Sequence, residues 1–168
     1  MEFACVQNIK IRPLSKNDFK YILEWSKDET FCSANDWEKN RDGEELYKWW
    51  QHCVNNVSED FIRLGIELEY KLIGYADLAC IRDNTAELGI AIGESKLWGK
   101  GIGFNASICM IDYASKQLDI NVFHAETHET NFPSRKMLER IGFKEVSRIG
   151  REQYLGTESQ LIQYKLSL

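Results

Sequence analysis

The chain has 168 residues, 43% of them hydrophobic and 28% charged, which is typical of a single globular domain with a buried core. Its formal net charge of −5 argues against nucleic acid or an anionic membrane as the main partner, because both select a basic surface. The opening MEFACVQNIKIRP has no apolar signal core, and no stretch is long enough to span a membrane, so we expect a cytoplasmic protein.

The first half of the chain predicts one strand, two helices and a meander of three strands. Residues 8–12 alternate polar and apolar, as a strand does, and Ser15 to Asp18 resemble a capping box that starts a helix FKYILEWSK. A second helix covers about residues 44–53. Short turns then separate three strand-like segments, which therefore form an antiparallel meander. These strands are residues 61–69, 72–80 and 87–92.

The second half predicts a helix, a strand, a shorter helix and two closing strands. Apolar residues recur at helical spacing from 102 to 118, and VFHAET at 122–127 is typical of a strand. The strand before the helix and the strand after it form a β-α-β crossover, so they should run parallel. Asn131 can cap a helix that ends at Gly142. The closing strands are predicted near residues 143–148 and 160–166.

The five cysteines are widely separated, odd in number and form no Cys-x-x-Cys pair. This pattern indicates a reducing compartment in which the thiols are buried as small apolar groups. The cysteines are Cys5, Cys32, Cys53, Cys80 and Cys109.

The most informative stretch is LWGKGIGFNA at residues 97–106, which has three glycines within five residues. A phosphate loop of the G-x-x-x-x-G-K-[ST] type is excluded, because Lys100 is followed by Gly101 and Gly93 lies one residue too far upstream. Residues 101–106 do fit the dinucleotide fingerprint G-x-G-x-x-G/A, but an antiparallel meander precedes them, so a nucleotide oxidoreductase remains a weak alternative. Successive backbone N–H groups from Gly99 to Phe104, at a helix start, are suited to binding a pyrophosphate.

The strand ELGIAIG, the loop WGKGIG, an amphipathic helix and the later ETNFPSRKMLERIGF together resemble the GNAT superfamily of acetyl-CoA-dependent N-acetyltransferases. The opening IRPLSKNDFKYILEW and the segment IGYADL are similar to its ribosomal-protein N-terminal acetyltransferase-like branch. The resemblance covers nearly the whole chain and implies one N-acetyltransferase domain at 1–168, of mixed α+β class. It implies a mostly antiparallel twisted sheet of about six or seven strands, with helices on both faces. It also implies that the fourth and fifth strands of the family's sheet splay apart.

The resemblance also implies the substrates of the protein and the residues that contact the coenzyme. Acetyl-CoA is the expected cosubstrate, with no metal, and the acceptor is a primary amine of a protein N-terminus or a small molecule, attacking directly. The chain should act as a monomer or homodimer. Gly101 and Gly103 match the glycines of the family's coenzyme loop, whereas Trp98 stands where Gln or Arg is usual. The residues implied to contact the coenzyme are Ile90, Ala91, Ile92, Trp98, Gly99, Lys100, Gly101, Ile102, Gly103, Asn131, Ser134 and Lys136.

The catalytic residues are less well marked. The backbone N–H of Ile92 is the candidate oxyanion donor, Glu87 a candidate base acting through water, and His128 a candidate group near the substrate. His124 and Glu126 share a strand face with His128, but their spacing fits no known metal site. Many members of the family have a tyrosine in the last helix, where this chain has Leu138, which donates no proton. A non-catalytic acyl-CoA sensor is therefore the second hypothesis.

An acceptor pocket is expected between the first two helices and the sheet, a region that is rich in tryptophan and in acidic residues. An exposed aromatic ring there could stack on a cation or a sugar, and at least one of the two adjacent tryptophans should be core. The tryptophans are Trp25, Trp37, Trp49 and Trp50.

Overall fold

The computed structural model describes residues 3–4 and 8–168 of the chain. Nine strands and five helices are formed by these residues. The strands are β1 (Phe3–Ala4), β2 (Ile9–Arg12), β3 (Ile62–Leu68), β4 (Lys71–Arg82), β5 (Thr85–Ile92), β6 (Val122–His128), β7 (Lys144–Ser147), β8 (Arg151–Tyr154) and β9 (Thr157–Ser167). The helices are α1 (Phe19–Trp25), α2 (Glu29–Ala34), α3 (Gly43–Asn55), α4 (Ile102–Leu118) and α5 (Phe132–Ile141).

Local sequence signals set the helix ends. The Ser15 side chain accepts a backbone N–H, and the Asp18 carboxylate accepts the N–H of Ser15, so the capping box predicted before α1 is confirmed. The Asn131 side chain accepts the N–H of Ser134 at the start of α5. Gly142, with a φ of 118°, ends that helix as predicted.

The sheet is mixed and mostly antiparallel. Its order is β1-β2-β3-β4-β5-β6-β9-β7, and β8 pairs with β9. Among the pairings described, β5 with β6 is parallel, which confirms the predicted crossover through α4. This meander topology is not a doubly wound sheet, so the nucleotide oxidoreductase alternative is wrong.

The sequence predicted six or seven strands, and the described residues form nine. The strands that were not predicted are β1, which has two residues, and β8, whose sequence REQY has no apolar alternation. Helix α2 was also not predicted, because its six residues are too few to show a helical period.

The parallel pair is splayed. Thr85, Ala86 and Glu87 of β5 pair with the first three residues of β6, and the ladder stops there although both strands continue. From Leu88 onward β5 has β4 as a neighbour on one side but not β6 on the other. The expected gap between the two central strands is therefore present.

Helices cover both faces of the sheet. On one face, α4 and α5 pack on a cluster that includes Ala76, Leu78 and Phe123. On the other face, α1, α2 and α3 pack over Leu72 and Ala91 with a group of aromatic rings. The rings of this second group include Trp25, Phe31, Trp37, Trp49, Trp50 and Tyr75.

The cysteine prediction is partly wrong. Cys109 is disulfide-bonded, whereas Cys32, Cys53 and Cys80 are free thiols, of which Cys80 is exposed rather than buried. Cys5 lies outside the described residues. The thiol pattern therefore no longer supports the expectation of a reducing compartment. In the described part of the chain, no helix is long and apolar enough to cross a membrane.

Candidate active site

The glycine loop joins the end of β5 to the start of α4. Gly101 is the N-cap residue of α4, with a left-handed φ of 79°, and no side chain among the described residues caps this helix end. The first helical hydrogen bond is made by the N–H of Asn105 to the carbonyl of Gly101, at 3.1 Å. The N–H groups of the preceding residues 102–104 point along the helix axis towards the loop. Together with the positive end of the helix dipole, they form a site suited to an anion.

The loop is fixed to the open end of β5 by Trp98. Its indole nitrogen donates a hydrogen bond of 3.0 Å to the carbonyl of Ile92. A tryptophan at this position can therefore serve a structural purpose where Gln or Arg was expected, because it ties the glycine loop to the strand.

The backbone of β5 presents polar groups to the gap. The N–H of Gly93 donates to the carbonyl of Ile73 in β4, at 2.7 Å, so the alternate residues Ile90 and Ile92 direct their N–H and C=O groups away from β4. The hydrogen bond from Trp98 to Ile92 lies on that same side. An extended ligand in the gap could therefore pair with β5 as an added strand.

A cavity of about 590 Å³ joins the gap, the glycine loop and the start of α5. Of the twelve residues predicted to contact coenzyme, eleven line it, and Lys100 does not. The eleven are Ile90, Ala91, Ile92, Trp98, Gly99, Gly101, Ile102, Gly103, Asn131, Ser134 and Lys136.

Other residues of the cavity wall were missed by sequence reasoning. They come from the end of α2, from the loops before α4 and before α5, from α5 itself, and from the end of β8 and the turn after it. Those in α5 could have been found by extending its periodicity, but no local signal marked the rest. They are Ala34, Asn35, Leu97, Thr130, Pro133, Met137, Arg140, Tyr154 and Leu155. Phe104, whose N–H group the sequence already placed at the anion site, lines the cavity as well.

The charged side chains of this wall are cationic. They are Lys136 and Arg140, and the Arg140 guanidinium lies 4.0 Å over the ring of Phe104. A phosphorylated ligand is attracted by such a wall, and the stack holds Arg140 in place.

Two predicted catalytic residues lie outside the cavity wall. Glu87 is exposed in the paired part of β5, five residues before Ile92 and therefore about 16 Å along the strand. His128 ends β6, and its ring stacks on Tyr154 with centroids 4.5 Å apart. His124 and Glu126 are exposed, and the described residues contain no cluster of three or more metal-ligating side chains.

The predicted tryptophan-rich region is a packed cluster rather than an open pocket. Trp25 and Trp50 are buried, and Trp37 and Trp49 contact each other edge to face with centroids 5.1 Å apart. The cavity wall meets this side of the sheet at Ala34, Asn35, Ala91 and Trp98, of which Ala91 and Trp98 pack with the cluster.

The chain also matches a known protein family. A family model described as the acetyltransferase (GNAT) domain matches residues 8–144. The chain therefore belongs to the GNAT acetyltransferases.

The chain is also similar in sequence to individual curated proteins. The chain is 30% identical over 145 residues to an uncharacterised protein of Methanocaldococcus jannaschii, covering 86% of this chain and 29% of that protein. The chain spans about three tenths of the length of the curated relatives it matches.

Solved structures share the fold at lower identity. The spermidine N-acetyltransferase from Vibrio cholerae, in complex with CoA and spermine, has a TM-score of 0.80 and 20% identity over 95% of both chains. RimL, a ribosomal L7/L12 alpha-N-protein acetyltransferase in complex with coenzyme A, has a TM-score of 0.82 and 14% identity, covering 100% of this chain and 98% of that one. A ribosomal-protein acetyltransferase and a spermidine acetyltransferase thus both share the fold of this chain.

Proposed function

We propose that this chain is an N-acetyltransferase that moves the acetyl group of acetyl-CoA to a primary amine by direct attack. The observation that carries the proposal is the single cavity in which the unpaired edge of β5 meets the uncapped start of α4. An extended ligand with a pyrophosphate at one end fits both features at once. We propose that residues 1–168 act together as one acetyltransferase domain.

The donor set of the cavity fits the coenzyme. Backbone N–H groups from Trp98 to Phe104 would bind the pyrophosphate, and Ile90 to Ile92 would pair with the pantetheine arm. Asn131 and Ser134 would contact the arm from the start of α5, while Lys136 and Arg140 would offer charge to the phosphates. When bound, the coenzyme supplies an acetyl thioester as the electrophile.

The chain would position the reacting atoms and stabilise developing charge. The N–H of Ile92 faces the gap and would donate to the oxyanion that forms when a neutral amine attacks the carbonyl. The position of Glu87 disfavours it as a base acting on this carbonyl, so we propose that the amine loses its proton to water or to a group of the cavity wall.

The acceptor class is proposed from the fold neighbours and from the wall residues that lie outside the glycine loop, β5 and α5. Among these, Ala34 and Asn35 lie at the end of α2, and Tyr154 and Leu155 lie where β8 turns into β9. The fold neighbours act on two kinds of amine, since one is named as a spermidine acetyltransferase and the other as an alpha-N-protein acetyltransferase. We propose a small-molecule amine or a protein N-terminus as the acceptor.

Thiol release from acetyl-CoA tests the proposal. Spermidine, glucosamine and a peptide with a free α-amine serve as acceptors, and acetyl-CoA binding is measured separately by calorimetry. Turnover with any of these amines supports the proposed reaction. Binding of acetyl-CoA without turnover favours the second function, an acyl-CoA sensor, for which the buried Leu138 is the specific observation. An absence of binding contradicts both functions.

A further inference from the structure

We propose that Tyr154 donates the proton that the leaving thiolate needs, and that the ring of His128 holds Tyr154 in position. This inference rests on the proposed function. It assigns a proton donor for the leaving thiolate, because the last helix has Leu138 where many members of the family have a tyrosine. Leu138 is 4% exposed, packs in the main core cluster and carries no proton to donate.

Most of the other donor groups of the cavity wall are already engaged. The indole of Trp98 bonds to the carbonyl of Ile92, and the amide nitrogen of Asn35 bonds to the carbonyl of Phe31 at 3.0 Å. The hydroxyl of Thr130 shares a hydrogen bond of 3.2 Å with that of Ser159.

Arg140 keeps its proton in proteins and the amide of Asn131 is not an acid, so the side chains that remain as candidates are Tyr154, Ser134 and Lys136. A phenol is a stronger acid than an aliphatic alcohol, which favours Tyr154 over Ser134. The ammonium of Lys136 is already proposed to bind a phosphate of the coenzyme through its charge, which disfavours it as the proton donor. The acidity of the three side chains therefore favours Tyr154 as the donor. Three features of its surroundings support the same assignment.

The first of these surroundings is an aromatic stack. The rings of Tyr154 and His128 lie 4.5 Å apart between centroids and 16° from parallel. One face of the phenol is thus covered, which restricts its ring plane while the residue still lines the cavity. The Nδ1 atom of His128 is buried and has no hydrogen-bond partner among the described residues. His128 therefore contributes its ring face to this pair and is a positioning residue.

The second is the strained turn next to Tyr154. The hairpin of β8 and β9 pairs Tyr154 with Thr157, so Leu155 and Gly156 form a two-residue turn. Leu155 has a φ of 49°, a conformation that costs a leucine about 1 kcal/mol and that Asn, Asp or Gly adopts more easily. Its side chain is 48% exposed and lines the cavity. An exposed apolar residue kept in a strained turn is typical of a functional position.

The third is the electrostatic environment. Desolvation raises the pKa of Tyr154, so its phenol keeps the proton at neutral pH and has it available. The charged residues of the same wall are Lys136 and Arg140, and both would stabilise a transient phenolate or thiolate.

The proton balance of the step is complete without another reactant. The amine nitrogen bonds to the carbonyl carbon, and the carbon–sulfur bond breaks with its electron pair on sulfur. Sulfur takes the phenolic proton of Tyr154. The resulting phenolate takes the proton that the nitrogen must lose to become an amide, directly or through one water, so that Tyr154 ends the cycle protonated.

Single substitutions test the assignment. Tyr154→Phe keeps the stack and removes the hydroxyl, so kcat should fall about 100-fold or more while KM for acetyl-CoA changes little. Ser134→Ala tests the competing donor, and Tyr70→Phe, at a side chain 87% exposed, is the control. His128→Phe keeps a stacked ring and should retain more activity than His128→Ala.

The outcomes separate this inference from the proposed function, because acetyl-CoA binding is measured by calorimetry for every variant. Unchanged kcat in Tyr154→Phe overturns the assignment, as does a large loss confined to Ser134→Ala. Equal losses in His128→Phe and His128→Ala overturn the positioning role. If the wild type does not bind acetyl-CoA, the proposed function fails and this inference fails with it.

Discussion

Gly101 provides the sharpest test of the phosphate-binding bend, because the chain contains a matched control for its backbone strain. Gly101 and Gly156 have φ values of 79° and 81°, and a Cβ added to either would meet no atom within 4 Å. Alanine at either position should therefore destabilise the fold by a similar amount, about 1 kcal/mol from the left-handed backbone alone. Only the methyl group at Gly101 would enter the wall where the N–H groups meet the cavity.

The two variants should differ in affinity for acetyl-CoA. Displacing the pyrophosphate from one or two backbone N–H groups removes charge-assisted hydrogen bonds worth about 1.5–3 kcal/mol. This corresponds to a loss of about 10- to 100-fold in affinity for Gly101→Ala, against little change for Gly156→Ala. Calorimetric titration gives the affinities, and thermal unfolding checks that both variants lose similar stability. Equal affinities in the two variants would refute the bend as the pyrophosphate site.

Two further substitutions probe the supports of the site. Trp98→Phe removes the hydrogen bond to the carbonyl of Ile92, which is worth about 0.5–1.5 kcal/mol. The KM for acetyl-CoA should therefore rise about 2- to 10-fold. An unchanged KM would mean that the indole contributes only by packing. The Asp28 carboxylate accepts hydrogen bonds from the backbone N–H groups of Phe31 and Ser95. Desolvation acts to raise the pKa of Asp28, but the hydrogen bonds to its carboxylate outweigh this and lower the pKa. The ionised Asp28 therefore stabilises the fold at pH values above about 3.9, the pKa that an aspartate has in the unfolded chain. This stabilisation is lost as the pH falls through the lower pKa that Asp28 has in the folded protein. In Asp28→Asn, the free energy of unfolding should fall less steeply at acid pH than it does in the wild type. The same acid dependence in both proteins would contradict the role assigned to Asp28.

Local signals were sufficient for the elements that build the cavity. The glycine spacing, the cap at Asn131 and the crossover through α4 each depend on residues close in sequence, and each is found as predicted. The separation of β5 from β6 was expected from family resemblance alone, and the residue at which the ladder ends, Glu87, was not predicted, because no residue type marks where a parallel pair separates.

Residues that reach the cavity from distant segments could not be predicted. Tyr154 and Leu155 enter the wall because β8 folds back on β9, and the turn lacks the Asn-Gly or Asp-Gly signal that marks such hairpins. Glu87 lies in a strand that was predicted correctly, but its distance from the gap depends on where along the strand the gap opens.

We propose that backbone amides of β5 and of the glycine loop hold the coenzyme. Amide chemical shifts of the ¹⁵N-labelled protein, recorded during titration with coenzyme A, test this binding site residue by residue. We expect the largest shifts at Ile90, Ile92 and residues 99–104. Saturating coenzyme A that leaves these amides unmoved, or that shifts only amides elsewhere, would contradict it.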